Sequence, residues 1–313
     1  MDFFYSLIKI NVVYLIHKEV YMDNLYLNYG LVMVSVVIFG FNFYCTDKLR
    51  SYCGSGLGAA FFTTAIGSLL SAIVLFFMNG LRFEFSPIAF AVAIGAAVNG
   101  ILFSFCSYKS LDIINLSLYS LFSMLGGMAL PFVVGILFFD EDMTVAKGVC
   151  FAVITLALVI VTGRGKTQKK GYIFYAGVFV LNGMSGVLTT VYKRLDGTNV
   201  SSTGYTLLVA TSSAVLSALF IPFFIGEVKR IKEPLKAVGI TVLNGIANRI
   251  ANLILAVALA VLPASAQYPM VTGGVIIVST VIAAFSKKKP TNKELISVVL
   301  SFIGILALVA IPF

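Results

Sequence analysis

The chain has 313 residues, of which 59% are hydrophobic and 11% charged, and its mean hydropathy is +1.01. A soluble domain carries roughly 25% charged residues, so these charges are too few for a water-facing surface and most of the chain must be surrounded by lipid. The formal charge of +9 would suggest nucleic acid in a soluble protein. Here Lys and Arg sit in short runs between apolar segments, so membrane topology accounts for them and no nucleic-acid partner is expected.

A spanning helix needs roughly 20 mostly apolar residues. Runs of that kind predict spans at 25–45, 56–79, 87–108, 113–139, 144–162, 171–192, 203–226, 237–260, 264–286 and 294–313. Backbone in lipid must satisfy its own hydrogen bonds, so the runs read as helices. The expected fold class is therefore an all-α polytopic membrane protein with about ten transmembrane helices. Residues 1–24 form an N-terminal extension, either an interfacial helix or a stretch upstream of the true start at Met22. The four cysteines, Cys45, Cys53, Cys106 and Cys150, make no CxxC pair, and His17 lies outside the spans. No metal or cofactor is expected.

Lys and Arg divide unevenly between the two sets of loops. The side that carries the N-terminus holds 6, the other side holds 15, and Arg249 lies within a span. Because basic residues accumulate on the cytoplasmic side, the richer side is predicted inside and both termini outside. The two halves also resemble each other. Residues 111–144 align with 259–291, so that Ser117 meets Ser265 and Gly126–Gly127 meets Gly273–Gly274. Five spans per half is an odd number, which inverts the second half relative to the first, as in many carriers. The predicted organisation is a first five-helix repeat at 25–162, a basic linker at 163–170 and a second five-helix repeat at 171–313.

Arg249 lies near the middle of its span, where an arginine costs at least roughly 2.5–3.5 kcal/mol on insertion scales. Asn244, Asn248 and Asn252 recur every four residues on the same helix, next to it. Arg249 is a candidate for binding an anionic or carboxylate-bearing substrate, with the asparagines as hydrogen-bond partners. The alternatives are that the arginine caps carbonyls or snorkels, and that the asparagines tie helices together. Other polar residues within spans are Asn42, Asn99, Ser104, Tyr108, Tyr119, Asn182, Ser185, Gln267, Tyr268 and Thr272, whose role would be to line a cavity or to pack. Gln267 and Tyr268 rank higher because Pro269 follows them and a proline frees backbone groups. The expected substrate-binding set is Arg249, Asn248, Asn252, Asn244, Gln267, Tyr268, Asn42 and Asn99. No Asp or Glu is read inside a span, which argues against proton-coupled export of cations. Gly163-Arg164-Gly165-Lys166-Thr167 has Ile160 where a phosphate loop needs glycine, and Asn199-Val200-Ser201 is a chance glycosylation match.

Three short motifs carry a family resemblance from Met22 to Phe313. They are Phe39-Gly40-Phe41-Asn42-Phe43, Phe138-Phe139-Asp140-Glu141-Asp142-Met143-Thr144 and Leu262-Pro263-Ala264-Ser265. With them the chain resembles the EamA-type ten-helix permeases of the drug/metabolite transporter superfamily. It departs at Phe285-Ser286-Lys287-Lys288, where the family's second copy usually has glutamate. The resemblance implies a carrier with a cavity between two five-helix halves. The expected function is secondary transport of a small neutral, zwitterionic or anionic metabolite across the cytoplasmic membrane, by alternating access. The alternatives are a multidrug or cation exporter of the same family, or a non-transporting scaffold or lipid-handling protein. No enzymatic activity is expected. The expected partners are a small-molecule substrate and the bilayer, and a homodimer is left open.

Overall fold

The computed structural model describes residues 25–138, 145–162, 171–194, 199–259, 264–286 and 288–310. Its long helices are α1 (Leu25–Cys53), α2 (Leu57–Met78), α3 (Pro87–Ile113), α4 (Leu116–Phe138) and α5 (Val145–Thr162), then α6 (Tyr172–Arg194), α7 (Ser202–Phe220), α8 (Pro234–Leu259), α9 (Ala264–Ala284) and α10 (Asn292–Ala310). No strand occurs among the described residues. Among the described residues, seven helices are long and apolar enough to cross a membrane: α1 to α4, α6, α7 with its continuation to Val228, and α8. The N-terminal extension and the 163–170 linker lie outside the described residues, as do most of the motif at 138–144 and all of Leu262-Pro263.

Local chemistry sets the helix ends. Pro87 opens α3 from the extended Ser86, where its missing N–H costs nothing. Asn115 caps α4 by accepting the Leu118 N–H at 2.9 Å. Thr291 and Glu294 form a reciprocal capping box at the start of α10. The helix α1 runs past the predicted end at 45, because Arg50 bonds to Asp47 one turn earlier and to Asp112 on α3. The predicted span 203–226 breaks at Phe220. Pro222 cannot donate to the helix, so a 3-10 turn at Ile221–Phe224 and one helical turn at Ile225–Val228 follow. The expectation of spans without carboxylates fails at Asp47, within the extended α1, at Asp112, in the last turn of α3, at Glu227, in the continuation of α7, and at Glu294, which is buried in the first turn of α10. Asn115 Nδ2 donates to Glu294 at 2.7 Å, so that carboxylate is part of a helix cap.

The helix ends gather in two clusters, and consecutive helices run in opposite directions. One cluster, the basic end, holds the Arg50–Asp112 pair, Lys288 and Glu227. Lys288 Nζ donates to the Leu111 and Asp112 carbonyls at 2.8 and 2.7 Å and so closes the C-terminus of α3. Glu227 accepts the Gly58 N–H at the start of α2, at 2.8 Å. At the opposite end Glu84, which follows α2, accepts the Ser201 N–H at the start of α7. It also accepts the Ser201 hydroxyl at 3.0 Å and the Asn79 amide at 3.2 Å. The helices α2 and α7 pack side by side. Each is therefore capped by the carboxylate that follows the other.

The Ser201 backbone N–H, helped by the Ser201 hydroxyl and Asn79, holds the Glu84 carboxyl below the usual glutamate range. A depressed carboxyl stabilises the fold above its unfolded pKa, and that stability is lost as the pH falls through the folded value. Glu84→Gln is therefore expected to lower the melting temperature at neutral pH. The gap from wild type should narrow once the pH drops below about 4.3. A gap of equal size at acid and neutral pH would show that the carboxylate charge contributes nothing.

Small residues let backbones meet inside the bundle. A Cβ on Gly126 of α4 would overlap the Phe179 carbonyl of α6, and one on Gly183 of α6 would overlap Leu130 and the Gly126 carbonyl. On the other side Gly40 of α1 lies against Val278 of α9, and Gly274 of α9 against Val36 of α1. The helix α2 is polar inside and apolar outside. Leu69, Ile73 and Phe77 are 57%, 50% and 65% exposed, while Thr64, Gly67, Ser68 and Ser71 face inward onto a cavity. Such an inverted distribution suits a helix whose outer solvent is hydrocarbon.

Candidate functional site

The inward faces of α1, α2, α3, α4 and α8 line an open cavity of about 430 Å³. That lies within the range of roughly 300–1,000 Å³ for small-molecule sites. The helix α2 contributes Thr63, Thr64, Ser68 and Ser71, and α3 contributes Ser104, Ser107 and Tyr108. Thr46 comes from α1, Tyr119 from α4, and Thr241, Asn244, Asn248 and Arg249 from α8. At 1.5 Å rise per residue, the α2 wall begins about 9 Å from the basic end of that helix and reaches about 21 Å, past its midpoint.

Hydroxyl hydrogens in this wall are largely committed. Thr46, Thr63, Ser104, Ser107 and Thr241 each donate to the carbonyl four residues back on their own helix. Tyr108 donates to Thr63 Oγ1 at 2.8 Å and Tyr119 to Ser107 Oγ at 2.9 Å. Their lone pairs remain as acceptors. The donors left to a ligand are the hydroxyls of Ser68 and Ser71, the amides of Asn244 and Asn248 and the guanidinium of Arg249. Arg249 is half-buried and forms no ion pair among the described residues. Among the described residues no carboxylate lines the cavity and the one formal charge on its wall is positive.

A second hollow of about 470 Å³ lies at the basic end, lined by Arg50, Asp112, Glu227, Arg230 and Lys232 among others. A buried cluster of Leu49, Ala59, Ala60, Tyr108, Ile231 and Ala237 borders both, with Leu49 and Tyr108 on the cavity wall and Ala59 on the wall of the hollow. The order from the basic end inward is thus charged hollow, this cluster and the hydroxyl-lined cavity.

The residues singled out from sequence fall into five groups. Arg249, Asn244 and Asn248 stand on the cavity wall, with Ser104, Tyr108 and Tyr119. Asn252 lies one turn further along α8 and donates to the backbone and side-chain oxygens of Asn248 at 2.7 and 3.0 Å, which fixes the Asn248 amide. Asn42 is 8% exposed, one turn beyond Thr46 on α1, and neither of its amide atoms has a hydrogen-bond partner among the described residues. Asn99 is off the wall and ties α3 to α6 through the Leu181 carbonyl at 2.9 Å and Ser185 Oγ at 2.8 Å. Asn182 likewise bonds the Ser123 carbonyl of α4 at 2.6 Å. Gln267 and Tyr268 belong to α9, but their side chains lie outside the described residues. The α2 hydroxyls were missed in the sequence. Thr64, Gly67, Ser68 and Ser71 follow the i, i+3, i+4, i+7 spacing of one helix face, and that spacing was the available signal.

The architecture defines an all-helical membrane protein. No family model and no curated protein matches the chain. Among solved structures, 28 chains match. One, described only as "Crystal structure of protein", has 18% sequence identity and a TM-score of 0.55, over 87% of this chain and 96% of that one. Identity this low makes the likeness one of fold alone.

Proposed function

We propose that the protein is a secondary carrier of the drug/metabolite transporter type, which binds a small anionic or zwitterionic metabolite between two inverted five-helix repeats. The observation that carries this reading is Arg249, a cation without an ion-pair partner among the described residues. It faces a hydroxyl- and amide-lined cavity deep inside apolar helices. An unpaired cation among apolar helices is costly, and such residues mark substrate or ion pathways. The lack of a carboxylate on the wall weighs against a cationic substrate.

Helix pairing supports the repeat. The pairings α4–α6, α3–α6 and α3–α7 have counterparts in α9–α1, α8–α1 and α8–α2 when each helix is exchanged for the one five places on. Under the same exchange α2–α7, α4–α9 and α5–α10 map onto themselves. The Glu84 cap on α7 and the Glu227 cap on α2 are likewise exchanged. The ten helices would cross the bilayer, with the basic end in the cytoplasm, and the cavity lies nearer to that end.

Counterflow into proteoliposomes tests the reading. Vesicles loaded in turn with anionic, zwitterionic, neutral and cationic metabolites are expected to show saturable exchange for a member of the first two classes. Saturable exchange of cations alone, or none across the whole panel, would overturn it.

A further inference from the structure

The two seams α3–α6 and α1–α8 are counterparts, yet they differ at one level. In the first, Cys106 lies against Gly177, and seven residues back along α3 Asn99 donates to Ser185 Oγ and the Leu181 carbonyl. In the second, Ser35 Oγ donates to the Ala251 carbonyl at 3.1 Å. Seven residues are two helical turns and return to the same face. Because α1 and α8 are antiparallel, moving seven residues from Ala251 and seven from Ser35 brings Asn244 opposite Asn42. The glycine contacts fix the α6–α1 half of the correspondence independently. Gly183 of α6 meets α4 as Gly40 of α1 meets α9, and Ser185 and Asn42 each lie two residues beyond. Asn244 and Asn42 thus occupy the places of Asn99 and Ser185.

The bond made in one seam is not made in the other. Asn244 Oδ1 and both amide atoms of Asn42 are buried without a hydrogen-bond partner among the described residues. Asn244 faces the cavity instead. A buried amide left unpaired is unfavourable, so this seam holds a standing drive to close. On the carrier reading, we propose that an Asn42–Asn244 hydrogen bond closes the α1–α8 seam over the cavity. It alternates with the Asn99–Ser185 bond, one forming as the other breaks. The helices α2 and α7, tied to each other by Glu227 at the start of α2 and by Glu84 at the start of α7, would stay fixed while the seams exchange.

The test uses the full chain with its four native cysteines replaced by serine. In that background Asn42→Cys and Asn244→Cys together report closure by disulfide formation under mild oxidation. Asn244→Cys alone reports opening by its labelling with a water-soluble maleimide. Asn99→Ala, which unties α3–α6, is expected to speed the cross-link and slow the labelling. Each change should be about fivefold, the ratio set by one hydrogen bond of about 1 kcal/mol. Ser185→Ala removes the other partner and should act in the same direction, so a folding defect in one variant leaves the other to decide. Rates unchanged in both variants, each monodisperse, would overturn the proposal. Counterflow separates it from the carrier reading. Exchange of solute without a reciprocal shift sinks the seam and leaves the carrier, whereas a reciprocal shift without exchange of any solute sinks the carrier and keeps the seam.

Discussion

Arg249→Met is expected to melt no lower than wild type and yet to lose its ligand. The guanidinium is half-buried and has no compensating carboxylate among the described residues, so its removal lifts a desolvation penalty and leaves no partner stranded. A hydrogen bond to a charged group contributes about 1.5–3 kcal/mol, and about 1.4 kcal/mol is a factor of ten in affinity. Affinity for an anionic or zwitterionic metabolite should therefore fall about tenfold to hundredfold. The measurement is a thermal-shift screen of such metabolites on purified wild type and variant in parallel. Arg249→Lys keeps the charge but not the planar fork, and should recover only part of the response. A variant that melts several degrees lower would make Arg249 a structural residue. A variant stabilised by ligand as well as wild type would move the site to other wall residues, beginning with Asn244 and Asn248.

The second large effect is at Gly126. Its missing side chain lets α4 lie directly on the α6 backbone, and the atom that a Cβ would meet is the Phe179 carbonyl oxygen, which cannot rotate away. Gly126→Ala must push the two helices apart and disturb the contacts around Gly183 as well. The expected loss is about 3 kcal/mol, at the upper end of overpacking effects, read as a lower denaturation midpoint in detergent. Gly95→Ala on α3 is the control. Nothing lies within 4 Å of the position its Cβ would take, and alanine favours helix over glycine. Gly95→Ala should therefore be neutral or slightly stabilising. Equal losses at the two sites would mean that α4 and α6 are not in backbone contact.

Several elements were readable from the chain because their cause is local. Apolar runs give helices wherever the backbone has no water to bond. The boundaries slipped where a charge or a proline acted on the neighbouring turns, as at Arg50 in the added turns of α1 and Pro222 just after α7. Arg249 stood out because a cation within an apolar run is rare, and the structure puts it on the cavity wall with Asn244 and Asn248. Asn42, Asn99 and Asn252 have the same chemistry and looked equivalent in sequence. Their partners separate them: Asn252 bonds Asn248 one turn back on its own helix, whereas Asn99 bonds a residue 86 positions away.

The sequence by itself determined that the protein is helical, that its outer solvent is hydrocarbon and that its polar residues are few enough to be informative one by one. Composition and spacing carry those properties, and each is set within a turn or two of helix. Only the tertiary structure decided which polar faces converge. The hydroxyl face of α2 becomes a wall because α8 and α3 stand opposite it, and Asn99 becomes a tie because α6 presents Ser185 at its height. The physical reason lies in the bilayer. Lipid pushes every polar face inward with similar force, but the choice among inward partners is made by close backbone contacts such as Gly126 with Phe179, which exist only once the helices have packed.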